Sequence, residues 1–154
     1  MCFYMSIYYD DIANNYELLV EYLIKSSDSF SVITNLKKPY SKIPPNCEHD
    51  SVLELLKPYL VDQIVNVKEW PGTETKQNHK VLNMYRCCKQ VRMIFTELPN
   101  FFLPFQHGLP EDICFYRDSH SWFTTISHER LVFISGASKE DLAFFSKSGI
   151  RYRI

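Results

Sequence analysis

The feature that most constrains this chain is its load of aromatic rings. Ten tyrosines, eleven phenylalanines and two tryptophans are spread through 154 residues. Each ring buries roughly 150–250 Å², so a few ring clusters can hold a small core together. Apolar residues accompany the rings along the whole length, which disfavours disorder. At this size a chain can bury roughly 68–70% of its unfolded surface, enough to fold without disulfides or metal. We therefore expect a single domain spanning residues 1–154.

Local periodicity sorts the chain into elements. Ile12, Tyr16, Leu19 and Leu23 fall at helical spacing, so a helix is expected over Ile12–Lys25, capped by Asp10 or Asp11. Phe30–Leu36 reads as a strand. Pro39, Pro44 and Pro45 make Lys37–Asn46 a loop. Ser51 and Glu54 have capping-box spacing and predict a second helix from Asp50 or Ser51, which Pro58 ends or kinks. Val61–Trp70 and His79–Cys87 read as a strand pair. Cys88–Leu98 reads as a helix, with a strand as the alternative because Val91, Met93 and Phe95 also alternate. Three short strands follow at Asp112–Arg117, Trp122–His128 and Leu131–Ser135. Ser138 and Asp141 then open a last helix that ends at Gly149, and Ile150–Ile154 adds an edge strand. Without regular βαβ alternation, the order predicts an α+β fold: a mostly antiparallel sheet packed against three to four helices.

Several function classes are disfavoured on composition. The four glycines, Gly72, Gly108, Gly136 and Gly149, are far apart. A phosphate cradle needs several backbone amides brought onto one anion, so the P-loop and the dinucleotide fingerprint are both missing. The net charge is −1, and lysines and arginines form no run; nucleic-acid binders carry a basic stripe, so none is expected here. The five cysteines are odd in number and contain no C-x-x-C, which favours reduced thiols over a disulfide framework. Met1–Tyr9 has no basic flank to make it a leader, and no uncharged apolar window is long enough to span a bilayer. A cytoplasmic protein with no membrane partner is the expectation.

The remaining polar residues supply candidates. His128-Glu129 begins like an H-E-x-x-H zinc helix, but Val132 stands where the second histidine belongs. Cys47, Glu48, His49 and Asp50 are too close together to close on one tetrahedral ion, and His79 is the distant residue that could help them; no metal and no cofactor are expected. Asp118, Ser119 and His120 have triad chemistry in a tripeptide, which turn formation explains better. Cys114 reads as a small hydrophobe unless Arg117 or His128 supplies a cationic neighbour. Glu111 and Asp112 are a solvated turn with a capping carboxylate, or else a general base or an interface charge. Trp122, Thr124, Ile126 and His128 share one side by period two, with Tyr116 available on the neighbouring strand. The candidate binding residues are thus Glu111, Asp112, Tyr116, Trp122, Thr124, His128 and Glu129, with Phe101, Phe102, Phe105 and Trp122 as a candidate exposed aromatic surface.

The segment LPEDICFYRDSHSWFTTISHE, Leu109 to Glu129, resembles a family of small uncharacterised proteins from Bacillus-like Firmicutes. Members read P-E-D-[IL]-C-F-Y, a turn, then W and T, then H-E; some carry the label "stage III sporulation protein AH". The resemblance implies a bacterial, cytosolic α+β protein and brings no catalytic residues with it. The turn Asp118-Ser119-His120 departs from the Asn-Gly or Asp-Gly of many members. Two functions fit these residues. One is a non-catalytic binding or immunity-type module whose partner is another protein. The other is a small hydrolase or transferase gathering Glu111, Asp112, Tyr116, His128 and Glu129 around a pocket.

Overall fold

A computed structural model of the protein describes residues 4–35, 47–76, 80–98 and 111–154. Its elements are β1 (Tyr4–Ile7), α1 (Tyr9–Asn14), α2 (Tyr16–Ser26), β2 (Ser29–Asn35), α3 (Cys47–Leu56), β3 (Leu60–Val67), β4 (Glu69–Trp70) and β5 (Thr73–Glu74). They continue with β6 (Lys80–Arg86), α4 (Lys89–Thr96), β7 (Glu111–Arg117), β8 (His120–Ile126), β9 (Leu131–Ser135), α5 (Lys139–Ser148) and β10 (Tyr152–Arg153). Eight strands form one antiparallel sheet in the order β10-β1-β9-β8-β7-β2-β6-β3, and β4 and β5 form a separate hairpin. The fold is α+β.

Strand alternation gives the sheet two different faces. On one, Phe30, Val32, Ile113, Phe115, Phe123, Val132 and Ile134 form a core with Ile12, Leu19, Leu23, Leu56, Val91, Phe95 and Phe145. Those helical residues come from all five helices of the described residues, so these helices share one side of the sheet. Phe30 is the centre of the ring packing: Phe95 meets it edge-on with centroids 5.1 Å apart, and Phe115 lies at 5.8 Å. The other face carries a smaller cluster of Ile33, Leu82 and Trp70, the last reaching in from the β4–β5 hairpin.

Several elements differ from expectation for identifiable reasons. The first helix breaks at Asn15, whose side-chain amide donates to Asp11 O at 2.9 Å. Its N-cap is Tyr8; Asp10 and Asp11 lie in the first turn instead. Asp11 turns to Arg151, taking bonds from its backbone N at 2.8 Å and its Nε at 2.9 Å. The helix α3 begins at Cys47, so Ser51 and Glu54 lie inside it and do not open it. Pro58 does end it, through a 3-10 turn at Lys57–Tyr59. The strand expected over Val61–Trp70 is split into β3 and β4. Residues 89–96 are helical, with Val91 and Phe95 buried. An unanticipated strand, β1, slots between β9 and β10.

Hairpin and cap chemistry are as the residues dictate. Asp118 and Ser119 link β7 to β8 with φ of 47° and 66°, the doubly left-handed pattern of a two-residue I′ turn. The Ser138–Asp141 capping box is complete: Asp141 N donates to Ser138 Oγ at 3.1 Å and Ser138 N donates to Asp141 Oδ2 at 2.8 Å. Gly149, with φ of 77°, closes the helix. Among the described residues no helix is long and apolar enough to cross a membrane.

Candidate functional site

The candidates from the sequence separate into structural and surface groups. Asp112 is buried at 3% exposure and holds a φ of 50°. Its Oδ2 accepts from Trp70 Nε1 at 2.8 Å and from Thr73 Oγ1 at 3.4 Å. Its Oδ1 accepts from Ser127 N at 2.7 Å, and its own N donates to Ser127 Oγ at 2.9 Å. Both carboxylate oxygens are therefore engaged in fastening the β4–β5 hairpin and the turn after β8 to the start of β7. Glu111 next to it lies 3.8 Å from Lys80 Nζ. His128 and Glu129 sit half-exposed on a 3-10 turn, 3.5 Å apart. A histidine and a glutamate side by side at a solvated turn and a carboxylate committed to structure are not the converging acid and base of a hydrolytic site.

Trp122 is 3% exposed and so does not belong to an exposed aromatic surface. The pairing Phe115↔Phe123 followed by Tyr116↔Ser121 leaves Trp122 as the extra residue of a bulge. The bulge interrupts alternation, so Trp122 and Phe123 both join the helix-side core. Trp122 Nε1 donates to Ser27 Oγ at 2.8 Å, and the Arg117 guanidinium stacks 3.5 Å from its ring centroid. Phe101, Phe102 and Phe105 lie outside the described residues, as do Gly108, His79 and the side chains of Cys47, Glu48, His49 and Asp50. Among the described residues no three potential ligands gather as a metal would require.

Arg117 is turned to Asp141 and Ser26, not to Cys114. Its Nη1 and Nη2 each donate to Asp141 at 2.7 Å, and its Nε donates to Ser26 O at 2.7 Å. Tyr22 Oη donates to the same carboxylate at 2.6 Å. Burial opposes the charge on Asp141, but the bonds from Arg117, Tyr22 and the Ser138 backbone outweigh it and hold the carboxyl at about 2. This cluster ties α2, the β7–β8 hairpin and α5 together. Sequence reasoning found the cap in it but not the clamp, because its members are far apart in the chain.

Thr124 and Tyr116 remain, and both belong to the face away from the helices. Cross-strand register aligns Ser31, Cys114, Thr124 and Phe133 in one row across β2, β7, β8 and β9. Cys114 Sγ lies 3.5 Å from Thr124 Oγ1, and Ser31 Oγ and Tyr116 Oη are hydrogen-bonded at 2.9 Å. Burial pushes the Cys114 thiol up to about 11 and raises Tyr116 as well. The thiol therefore stays protonated and weakly nucleophilic near neutral pH. Thr124 marks the floor of an open groove of about 380 Å³, lined by Tyr4, Pro71, Gly72, Ser121, Phe133 and Ser135.

The groove owes its shape to the hairpin tip. A Cβ on Gly72 would stand 3.1 Å from Thr124 Cγ2 and 3.2 Å from Ile126 Cγ1, and φ there is 86°. Only glycine lets the tip approach the sheet this closely. Tyr4 at 66% exposure stands on one wall. Rings and hydroxyls line the groove, and no carboxylate, amine or imidazole is among those described residues. A second, larger groove of about 470 Å³ lies on the opposite face, where Leu53, Glu54 and Lys57 of α3 and its following turn approach Thr34, Gln63 and Tyr85. Its floor includes Asn83, whose amide is fully committed to Val32 O, Thr34 Oγ1 and Gln63 Nε2. Comparison with protein-family models, with curated proteins and with solved structures finds no match to this chain.

Proposed function

We propose that the protein is a non-catalytic, immunity-type binding module, bacterial and cytoplasmic, that engages another protein through the face around Thr124. The observation behind this reading is the uncharged lining of the Thr124 groove: two rings, three hydroxyl side chains and the Pro71-Gly72 tip. An ionised ligand group placed there would lose its hydration without gaining a counter-charge. An apolar, ring-bearing side chain of the partner suits it, with Ser121, Thr124 and Ser135 hydroxyls fixing orientation. The likeness of Leu109–Glu129 to the Bacillus-like family belongs to the same reading. The hydrolase or transferase alternative draws no support from geometry, because Asp112 is used in structure and the Cys114 thiol is held protonated.

The test is a pull-down from the native host with wild-type protein and with Thr124→Arg, which puts a charge into the groove. A specific partner retained by the wild type and lost by the variant is the expected result. Equal retention by both proteins, or no specific partner at all, overturns the reading. Should any turnover be found, its loss in the His128→Ala, Glu129→Ala double variant would restore the enzymatic alternative.

A further inference from the structure

The two ends of the eight-stranded sheet are unequal. One ends on β10, a strand of only two residues, whereas the other ends on β3, with eight. Among the described residues β3 is paired on its β6 side alone. A long edge presents backbone donors and acceptors ready to template another strand, and proteins usually blunt such edges with lysine, proline, inward charge or bulges; on β3 the irregularities are two slips against β6 and Asn66 at φ 58°, and they leave Asp62–Ile64 regular. Here the sequence is LVDQIVNV, with one charge and neither lysine nor proline. Val61 is 59% exposed, Val65 54%, Ile64 50% and Leu60 37%. Four large aliphatic side chains on one open edge are an unusual concentration for a strand meant to stay in water.

We propose that β3 pairs antiparallel with the β3 of a second copy of this chain about a two-fold axis at Gln63, extending the sheet across both molecules. This surface is separate from the Thr124 groove, and neither reading depends on the other. Three observations favour a second copy over an unrelated strand. The first is self-complementarity. An axis at Gln63 sets Val61 opposite Val65 of the second copy and Val65 opposite its Val61, so that β-branched side chains of the slipped segments meet on either side of the regular stretch. The second is charge. The same axis sets Asp62 opposite Ile64 of the second copy, so the lone carboxylates of the two strands do not face each other. The third is the placement of irregularities. Register with β6 slips between Leu60 and Asp62 and again between Ile64 and Val67, leaving Asp62–Ile64 regular between them. The axis at Gln63 bisects that regular stretch and sets one slipped segment against the other, as an isologous contact requires.

One further contact shows what the edge lacks. Asp62 Oδ1 accepts from Gln63 N at 2.8 Å, in an exposed bond between neighbours. The carboxylate occupies the position that the carbonyl of a paired strand takes in an antiparallel ladder. On pairing, the Gln63 amide exchanges this local acceptor for a carbonyl across the axis, and Asp62 returns to water.

Sedimentation equilibrium of the full chain over a wide concentration range tests the pairing, with amide hydrogen exchange read at Val61–Val65. The expected result is a reversible dimer whose formation protects those amides. Val65→Lys, at an exposed position, is expected to weaken association by about tenfold or more without lowering the melting temperature of the dilute, monomeric protein. Asp62→Ala removes the competing acceptor and a charge near the axis, so it is expected to tighten association. A monomer at every concentration overturns the proposal. So does a dimer that Val65→Lys leaves intact. Amides already protected in a monomer would assign the edge to a different occupant and overturn it equally.

Discussion

Asp141 shows how much one side chain can hold. It completes a helix cap, accepts a bidentate guanidinium and receives a phenol, all while fully buried. Its depressed carboxyl makes a signed prediction. A group whose folded value lies below its unfolded one stabilises the fold fully above the unfolded value, and that contribution is lost as pH falls through the folded value. An unpaired aspartate carboxyl lies at 3.8 and the folded one at about 2, so this contribution should fade between roughly pH 4 and pH 2. In Asp141→Ala the acid transition should lose that component, visible by circular dichroism across the same window. At neutral pH the substitution leaves Arg117 without its partner and should cost about 3–5 kcal/mol. The cap was legible in the spacing of Ser138 and Asp141. Tyr22 and Arg117 were not, because contacts across 119 and 24 residues leave no local pattern.

At the scale of elements, the β4–β5 hairpin is the part most dependent on a single anchor. Trp70 packs on Ile33 and Leu82 and donates its indole N–H to buried Asp112. Trp70→Phe keeps a ring but leaves the carboxylate one donor short, an expected cost of about 1–3 kcal/mol. The measurement is denaturant unfolding together with amide exchange at residues 69–74, which should quicken if the hairpin loosens. Unchanged exchange there would mean that the ring alone holds the hairpin. Helices were readable as elements because their apolar stripe repeats along the chain, as in Leu19 and Leu23 or Val91 and Phe95. The face of β8 was not readable. Period two predicted that Trp122 and Thr124 share a side, but the bulge opposite Phe115 and Tyr116 moves Trp122 to the helix-covered one. A bulge depends on the partner strand, and the partner is absent from any local window.

Across the whole molecule, the first and last described strands, β1 and β10, meet on one margin of the sheet. Tyr4–Ile7 pairs with both β9 and β10. Asp11 binds Arg151, and the Arg151 and Arg153 guanidinium groups lie 4.8 and 4.3 Å from the Tyr8 ring centroid. Ile150 is the apolar plug of this margin, 2% exposed within the main core, and its N donates to Phe145 O at 2.9 Å to finish α5. Ile150→Ala should destabilise the whole fold by about 2–5 kcal/mol, read as a shifted denaturation midpoint with unchanged slope. A changed slope would instead indicate that this margin unfolds separately from the rest.

Polarity along the chain was enough to determine that this protein is α+β and where most of its helices and strands lie. Those conclusions rest on repeat lengths that each residue shares with near neighbours. The tertiary structure alone decided the strand order, the commitment of Asp112 to the hairpin, the burial of Trp122 and the uncharged groove at Thr124. Each depends on which distant strand lies alongside, and that choice is made by packing the rings into one core, a free energy summed over the whole chain and not written in any single stretch of it.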